Sequence, residues 1–400
     1  MPVLPNYCAT RHFPLPLDEE ALQTWASGQL DRLNGPVAFG LVFATENALP
    51  TIANVIEIIR IYAHVPVLTG CSSTGLIADQ REIENEGGIS VILCHLPETN
   101  VRAIHLPEDL FHGENRVEAF RKALGPEPDA INAWLLFGAP ESIGSESWLP
   151  DWDRATGGRP TIGGFAGVNP QEPHTTLFVD GEIHGEGAVA LGLEGATTVA
   201  PLVAQGCRPV GSPWTVTDAE KNVIKKVGNR PILEVLRDTL EGMTRREQMR
   251  ARGNIFIGLV SNEYKQNFSA GDFLVRNLAA IDPKSGAVAI ATPPRIGQNL
   301  QFQIRDAATA TEDFRHQLAQ LETSLGVQAI YGACLCNCVG RGSSLFGTPD
   351  HDVSLIHEYF PDLPVGGIFC NGEFGPLNGQ TRLHGYTASL ALFVSQAESA

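Results

Sequence analysis

Two periods of apolar residues run along the chain. Val37–Phe43, Ala130–Phe137, Ile255–Val260, Val327–Cys336 and Ala388–Val394 are nearly continuous apolar runs of strand length, the pattern of strands buried on both faces. Between them the period lengthens. Ile52, Val55, Ile56, Ile59 and Tyr62 recur at helical spacing and predict a helix over Pro50–Ala63. Asp18, followed by Glu19 and Glu20, caps a helix that runs to about Leu33. Further helices are predicted over Asn115–Leu124, Thr217–Val227, Pro231–Met243, Asp306–Leu325 and Asp350–Phe360. Turn chemistry pairs the remaining strands. Ile89–Cys94 is expected to pair with Val101–Leu106 through Pro97–Asn100, and Thr175–Val179 with Gly187–Leu193 through Asp180-Gly181. Asp272–Ala291 reads as a hairpin turning at Asp282–Gly286.

One segment organises the rest. PVGGIFCNGEFGPLNGQ, from Pro364, follows an apolar strand and breaks into glycines around Cys370, Asn371 and Glu373. PTIGGFAGVNP, from Pro160, has the same design, and His184-Gly185 before Ala188 matches His384-Gly385 before Ala388. PVLTGCSSTG, from Pro66, is a third, weaker copy. Each copy follows an apolar run and a helical stretch, so the unit is strand, helix, strand, glycine-rich loop, and such self-similarity decides the fold class. The chain is expected to be α/β: two related halves from an internal duplication, with mixed β-sheets covered by helices and glycine-rich loops at a shared cleft. The expected divisions are an extension over 1–34, one domain over 35–195, a junction over 196–214 and a second domain over 215–400.

Composition narrows the function classes. A net charge of −17 without clustered Lys and Arg argues against nucleic acid, since Lys221, Lys225 and Lys226 sit among acidic neighbours. No apolar run reaches the ~20 residues of a membrane span, and the first residues lack a signal-peptide pattern, so a cytoplasmic location is expected. The 8 cysteines lack framework spacing and read as reduced thiols.

Four groups of residues carry candidate chemistry. Cys334, Cys336 and Cys338 alternate along a strand, ~6.6 Å apart at Cα, too wide for one tetrahedral metal ion without a bend, and read as small buried thiols. In GCSSTG, Cys71 or Ser72 would be a nucleophile at a strand end, but Thr74 stands where the hydrolase elbow needs glycine. Arg341, set among glycines after a buried strand, suits a carboxylate with its two-pronged donors or pairs with an acidic neighbour. Glu373 suits an amine, and His184 and His384 occupy matching places in the two halves.

GCSSTG, the stretch DFLVRNLAAIDPKSGAVAIATPPRIGQNLQFQIRDAATA, CVGRGSSLFG and GEFGPLNGQTRLHGYTASLALF together resemble the FIST family, whose paired FIST N and FIST C domains would cover about 35–195 and 215–395. The resemblance implies an intracellular sensory module for small ligands such as amino acids. It also implies haem-binding relatives that sense nitric oxide and a eukaryotic relative with an F-box. No kinase, cyclase or receptor segment is recognised here, so output is expected to pass through a signalling protein partner. The leading expectation is thus a non-catalytic binder of an amino acid or small carboxylate. Gly70, Cys71, Ser72 and Ser73 line the site from one half, and Cys338, Arg341, Asn371, Glu373 and His384 from the other. The rival readings are a haem sensor with His384 or His184 as axial ligand, and a hydrolase using Cys71 or Ser72.

Overall fold

The computed structural model describes residues 3–167, 175–263, 265, 268 and 270–397, so the end of the second glycine-rich stretch, from Val168, lies outside the described residues. The chain divides into two compact units, residues 1–203 with 316–400, and residues 204–315.

The first unit repeats one motif three times. The first copy comprises β1 (Cys8–Pro14), α1 (Glu19–Arg32), β2 (Phe39–Thr45), α2 (Ile52–Tyr62), β3 (Leu68–Ser73), the hairpin β4 (Gly75–Ala78) and β5 (Arg81–Ile83), and β6 (Gly88–Cys94). The second comprises β7 (Thr99–Leu106), α3 (Arg116–Leu124), β8 (Ile131–Gly138), α4 (Pro140–Ile143), α5 (Leu149–Ala155) and β9 (Thr161–Phe165). It closes with the hairpin β10 (Leu177–Val179) and β11 (Glu182–His184), then β12 (Ala188–Gly195). The third opens with β13 (Thr197–Ala204) and is interrupted by the second unit.

That unit holds β14 (Cys207–Glu220), β15 (Val223–Val227), β16 (Arg230–Pro231), α6 (Ile232–Glu241), α7 (Arg245–Ala251), β17 (Ile255–Val260), β18 (Phe273–Asp282), β19 (Ala287–Ile290) and β20 (Asn299–Arg305). The third copy resumes with α8 (Ala307–Leu325), β21 (Ile330–Cys338), α9 (Ser343–Phe346), α10 (His351–Tyr359) and β22 (Val365–Cys370). It ends with the hairpin β23 (Glu373–Leu377) and β24 (Gln380–His384), and β25 (Ala388–Ser395).

Each copy builds the heart of one sheet: β1-β6-β2-β3, β7-β12-β8-β9 and β13-β25-β21-β22. The central pairs β2–β3, β8–β9 and β21–β22 are parallel and connected through helices. The hairpins are exchanged in a cycle. β10–β11 joins β3, β23–β24 joins β9 and β4–β5 joins β22, so every sheet is completed by the next copy's hairpin. Alternation within each parallel pair separates two cores. Phe39, Leu41 and Phe43, Ala133, Leu135 and Phe137, and Cys334 and Cys336 turn to one shared core, while Val42 and Ala44 turn to α1 and α2, and Trp134 and Leu136 to α3 and α5. Two-sided burial of this kind is what the continuous apolar runs encode.

The close approach of the parallel strands explains the recurrent glycines. A Cβ on Gly70 would lie 1.7 Å from the Val42 carbonyl oxygen, one on Gly163 1.8 Å from that of Leu136, and one on Gly367 1.9 Å from that of Leu335. These three glycines are register partners of those three residues. They are strand residues chosen for contact between backbones and not flexible loop residues.

Several pairings differ from the sequence expectation. β6 pairs with β1 and β2, and β7 pairs with β12, so Ile89–Cys94 and Val101–Leu106 belong to different sheets. Asp180-Gly181 does turn a hairpin, but its second arm is β11 and β12 pairs with β7 and β8. Thr217–Val227 is not a helix: it holds the end of β14 and β15, turning at Lys221-Asn222 with Lys221 at φ 52°. Its Thr and Val residues favour that extended backbone. Cys8 and Cys94, opposite each other across β1 and β6, form a disulfide with Cα atoms 4.2 Å apart, whereas all 8 cysteines read as reduced from the sequence. Their adjacency depends on the first strand's register, which Cys spacing does not encode.

Candidate functional site

The three strand ends β3, β9 and β22 run into connections that bond one another. Ser72 donates its hydroxyl to the Gly167 carbonyl at 2.9 Å, Phe165 donates its N–H to the Gly372 carbonyl at 2.8 Å, and Ser73 donates to the Phe369 carbonyl at 3.1 Å. The carboxyl ends of parallel strands therefore meet here, the position at which α/β sheets generally place ligands.

Glu373 sits at the centre of this region and is fully buried. Its carboxylate oxygens accept the backbone N–H groups of Gly372 and Thr387, each at 3.1 Å, and the Cys370 thiol at 3.7 Å. Burial pushes its carboxyl up to about 8 against those bonds, so the group is largely protonated at neutrality. Asn371, two residues earlier, is exposed.

A second ionisable cluster joins the end of β21, the start of α10 and β5. Arg341 donates to both Asp352 oxygens, at 2.6 and 2.8 Å, with both side chains excluded from solvent. Asn337 and His351 add bonds to the same carboxylate at 2.9 and 3.0 Å. Burial opposes the Asp352 charge, yet Arg341 and these donors hold the carboxyl below its ordinary range. Glu82, on the exchanged hairpin, accepts the N–H groups of Asp352 and Val353 at 2.7 and 2.9 Å at the start of α10. Burial, then the neighbouring Asp352, raise its carboxyl to about 8.

The residues nominated from sequence thus separate into groups. Cys71, Ser73, Cys338, Asn371 and Glu373 belong to the region around the third glycine-rich connection. Gly70 is a pairing residue inside β3, and Ser72 Oγ both donates to Gly167 and accepts from the Thr176 N–H at 3.1 Å, so its bonds are to backbone. Burial, and next Cys334, push the Cys71 thiol well above its ordinary value, which is the reverse of what an activated nucleophile needs. Arg341 is bound bidentately by Asp352.

His384 pairs across the hairpin with Glu373, and its Nε2 lies 3.1 Å from the Gly375 carbonyl oxygen. His184 stacks on His105 with ring centroids 3.7 Å apart. Both imidazoles are engaged by protein groups and do not fit an axial position on haem iron without rebuilding those contacts. Among the described residues no group of three or more His, Cys, Asp or Glu is placed to hold a metal ion, and no helix is long and apolar enough to cross a membrane. Sequence reasoning missed Glu82, Asp352 and Cys370. Cys370 lay within the quoted glycine-rich stretch, whereas Glu82 and Asp352 gain meaning only when the exchanged hairpin brings them together.

Fold and site define a repeat-built α/β protein whose buried ionisable groups gather at the ends of its parallel strands. The FIST N domain matches residues 38–230 and the FIST C domain matches residues 233–376, and the chain belongs to the FIST family, a family associated with small-ligand sensing in signal transduction. The inserted unit takes up the end of the first match and the start of the second. An uncharacterized protein of Mycobacterium tuberculosis is 32% identical over 381 residues, covering 94% of this chain and 96% of that protein. One from Mycobacterium bovis is 33% identical over 361 residues, 88% of this chain and 89% of that one. An F-box/LRR-repeat protein of Arabidopsis thaliana is 38% identical over 90 residues, 20% of this chain and 16% of that protein. Among solved structures, a cyanuric acid hydrolase aligns over 98% of this chain and 99% of its own at 10% identity, with a TM-score of 0.31.

Proposed function

We propose that this chain is a non-catalytic sensory protein that binds a small ligand of the amino-acid or small-carboxylate class and signals through a separate protein partner. The observation that carries this reading is Glu373: a glutamate without contact to water, held by two backbone N–H groups, its carboxyl raised to about 8, on a connection whose Asn371 reaches solvent. A carboxyl perturbed by burial at a strand end is a functional-site candidate. Membership of a sensory family supports the same class.

In this reading Glu373 receives the ligand's cationic group. Asn371 receives the anionic end, with Cys71, Cys338 and His384 as walls. Arg341 contributes by fixing the turn after β21 through Asp352, and a ligand carboxylate would compete with Asp352 for it. An ammonium group arriving at Glu373 favours the ionised carboxylate, so binding near pH 7 releases a proton.

Titration calorimetry of the full chain against a panel of amino acids and small carboxylates tests this. Saturable heat is expected, with Asn371→Ala weakening binding about tenfold without changing the melting temperature. Glu373→Gln removes affinity for ligands carrying an amine and spares simple carboxylates. If no compound gives heat or raises the melting temperature, the reading is wrong.

A further inference from the structure

Two thiols meet one carboxyl group at the carboxyl ends of β21 and β22. Cys338 and Cys370 are register partners on these adjacent parallel strands, so they leave the sheet on the same face. Neighbouring strands lie about 4.8 Å apart, within the ~4.4–6.8 Å between Cα atoms that a disulfide spans. The Cys370 thiol lies 3.7 Å from Oε1 of Glu373, and the Cys338 thiol also hydrogen-bonds that carboxyl. Tyr386 donates its backbone N–H to the Cys338 sulfur at 3.2 Å.

The two thiols are not equivalent. An N–H aimed at sulfur favours the thiolate, and Cys338 receives one from Tyr386. Cys338 is 4% exposed and precedes Val339, which is 40% exposed, whereas Cys370 is completely buried. Cys338 is therefore the sulfur nearer solvent, with Cys370 lying deeper beside it.

We propose that Cys338 and Cys370 are a reversible dithiol–disulfide pair oxidised by a hydroperoxide, with Cys338 attacking, Cys370 resolving and Glu373 accepting and returning the proton. In the first step Cys338 passes its proton to ionised Glu373, and its sulfur attacks the terminal oxygen of the hydroperoxide. The S–O bond forms and the O–O bond breaks. The departing alkoxide takes the proton from Glu373 and leaves as an alcohol, or as water when the oxidant is hydrogen peroxide. In the second step the Cys370 sulfur attacks the Cys338 sulfur, the S–S bond forms, the S–O bond breaks, and hydroxide leaves with the Cys370 proton as water. Two thiols lose two electrons and the hydroperoxide gains them. A dithiol reductant reverses the change by thiol–disulfide exchange.

The groups facing Glu373 are Cys338 on β21, Cys370 on β22 and His384 on β24, with Cys71 on β3 next to Cys370. Burial, and next Glu373, push the Cys370 thiol up, which suits a resolving group that waits as a thiol. With the Glu373 carboxyl raised to about 8, the proton acceptor becomes available as pH rises, and oxidation accelerates between pH 7 and 9.

The test uses the full chain without any ligand, so its failure leaves the ligand-binding reading untouched. Protein is treated with equimolar hydrogen peroxide at pH 8, alkylated under denaturing conditions and mapped by mass spectrometry, with the Cys8–Cys94 pair assigned separately. A Cys338–Cys370 crosslink reversed by dithiothreitol is expected. Cys370→Ser should stop at a sulfenic acid on Cys338 that dimedone traps, and Cys338→Ser should give none. Glu373→Gln should slow crosslinking on the order of tenfold or more and flatten its rise with pH. If both thiols of the wild-type chain remain alkylatable after peroxide, or Cys338 is found joined to a different cysteine, the proposal fails. That readout needs no variant, so a substitution that impairs folding does not obscure it.

Discussion

At Gly163 a single missing methyl group decides whether β8 and β9 can lie side by side. A Cβ there meets the Leu136 carbonyl oxygen at 1.8 Å and the Leu136 amide nitrogen at 3.0 Å, all backbone, so relief requires moving a strand. Gly163→Ala is expected to cost about 4 kcal/mol or more, in the tail reached by overpacking a core. Gly379, at φ 74° in a hairpin turn with open space around it, provides the contrast: Gly379→Ala should cost only about 1 kcal/mol. Denaturant unfolding of the two variants checks the difference. The raised carboxyls make a separate prediction. Glu82 and Glu373 ionise near 4.5 in the unfolded chain but near 8 in the fold, so between those limits the native state binds more protons. Their stabilising contribution is complete below pH 4.5 and declines until pH 8, by about 1 kcal/mol per pH unit for each group. Glu82→Gln and Glu373→Gln should each flatten the fall in melting temperature over that window. Glu82 lies in an acidic run, REIENE, whose neighbours do not show that it is buried.

Elements were legible where a single stretch carries its own reason. α1 begins after Asp18, whose carboxylate accepts the Ala21 N–H at 2.9 Å, as the cap and the following acids anticipated. α6, β17, β21 and the β18–β19 hairpin likewise follow from local pattern. Partnership between elements was not legible, because an exchanged hairpin has no local signal. β4–β5 follows β3 in the chain but pairs with β22, and what fixes it there comes from residues ~270 positions away. Glu82 accepts the first N–H groups of α10, Glu84 accepts the Ser343 N–H at 2.8 Å, and Asp350 accepts the Glu82 N–H at 2.7 Å. Removing one acceptor of a buried N–H pair costs about 1–3 kcal/mol. Glu82→Ala should therefore speed amide hydrogen exchange in β4, β5 and the first turn of α10 while β8 and β9 remain protected. The candidate site followed the same division: Asn371 and Glu373 stood out within one segment, whereas Asp352 as Arg341's partner required two.

At the scale of the whole chain, the repeat was seen in the sequence through its glycines, and the inserted unit was not, because the insertion falls inside the third copy and has no glycine signature of its own. Its closure can be followed strand by strand. β14 pairs with β20, β20 with β17, β17 with β18, β18 with β19, β19 with β15, and β15 returns to β14, all antiparallel. A sheet closed in this way leaves no open edge along the ring. Its interior is filled from its own strands and helices, with Val216, Ile224, Ile257, Leu259, Val288, Leu300 and Phe302 buried beside Ile232 and Val235 of α6. Every strand of the ring lies between Cys207 and Arg305. Residues 204–315, the whole of the inserted unit, expressed alone should therefore give an antiparallel-β circular dichroism spectrum and a single cooperative unfolding transition. The same fragment carrying Phe302→Ala should lose about 3–5 kcal/mol. A fragment lacking cooperative unfolding and dispersed amide signals would show that the ring depends on the rest of the chain.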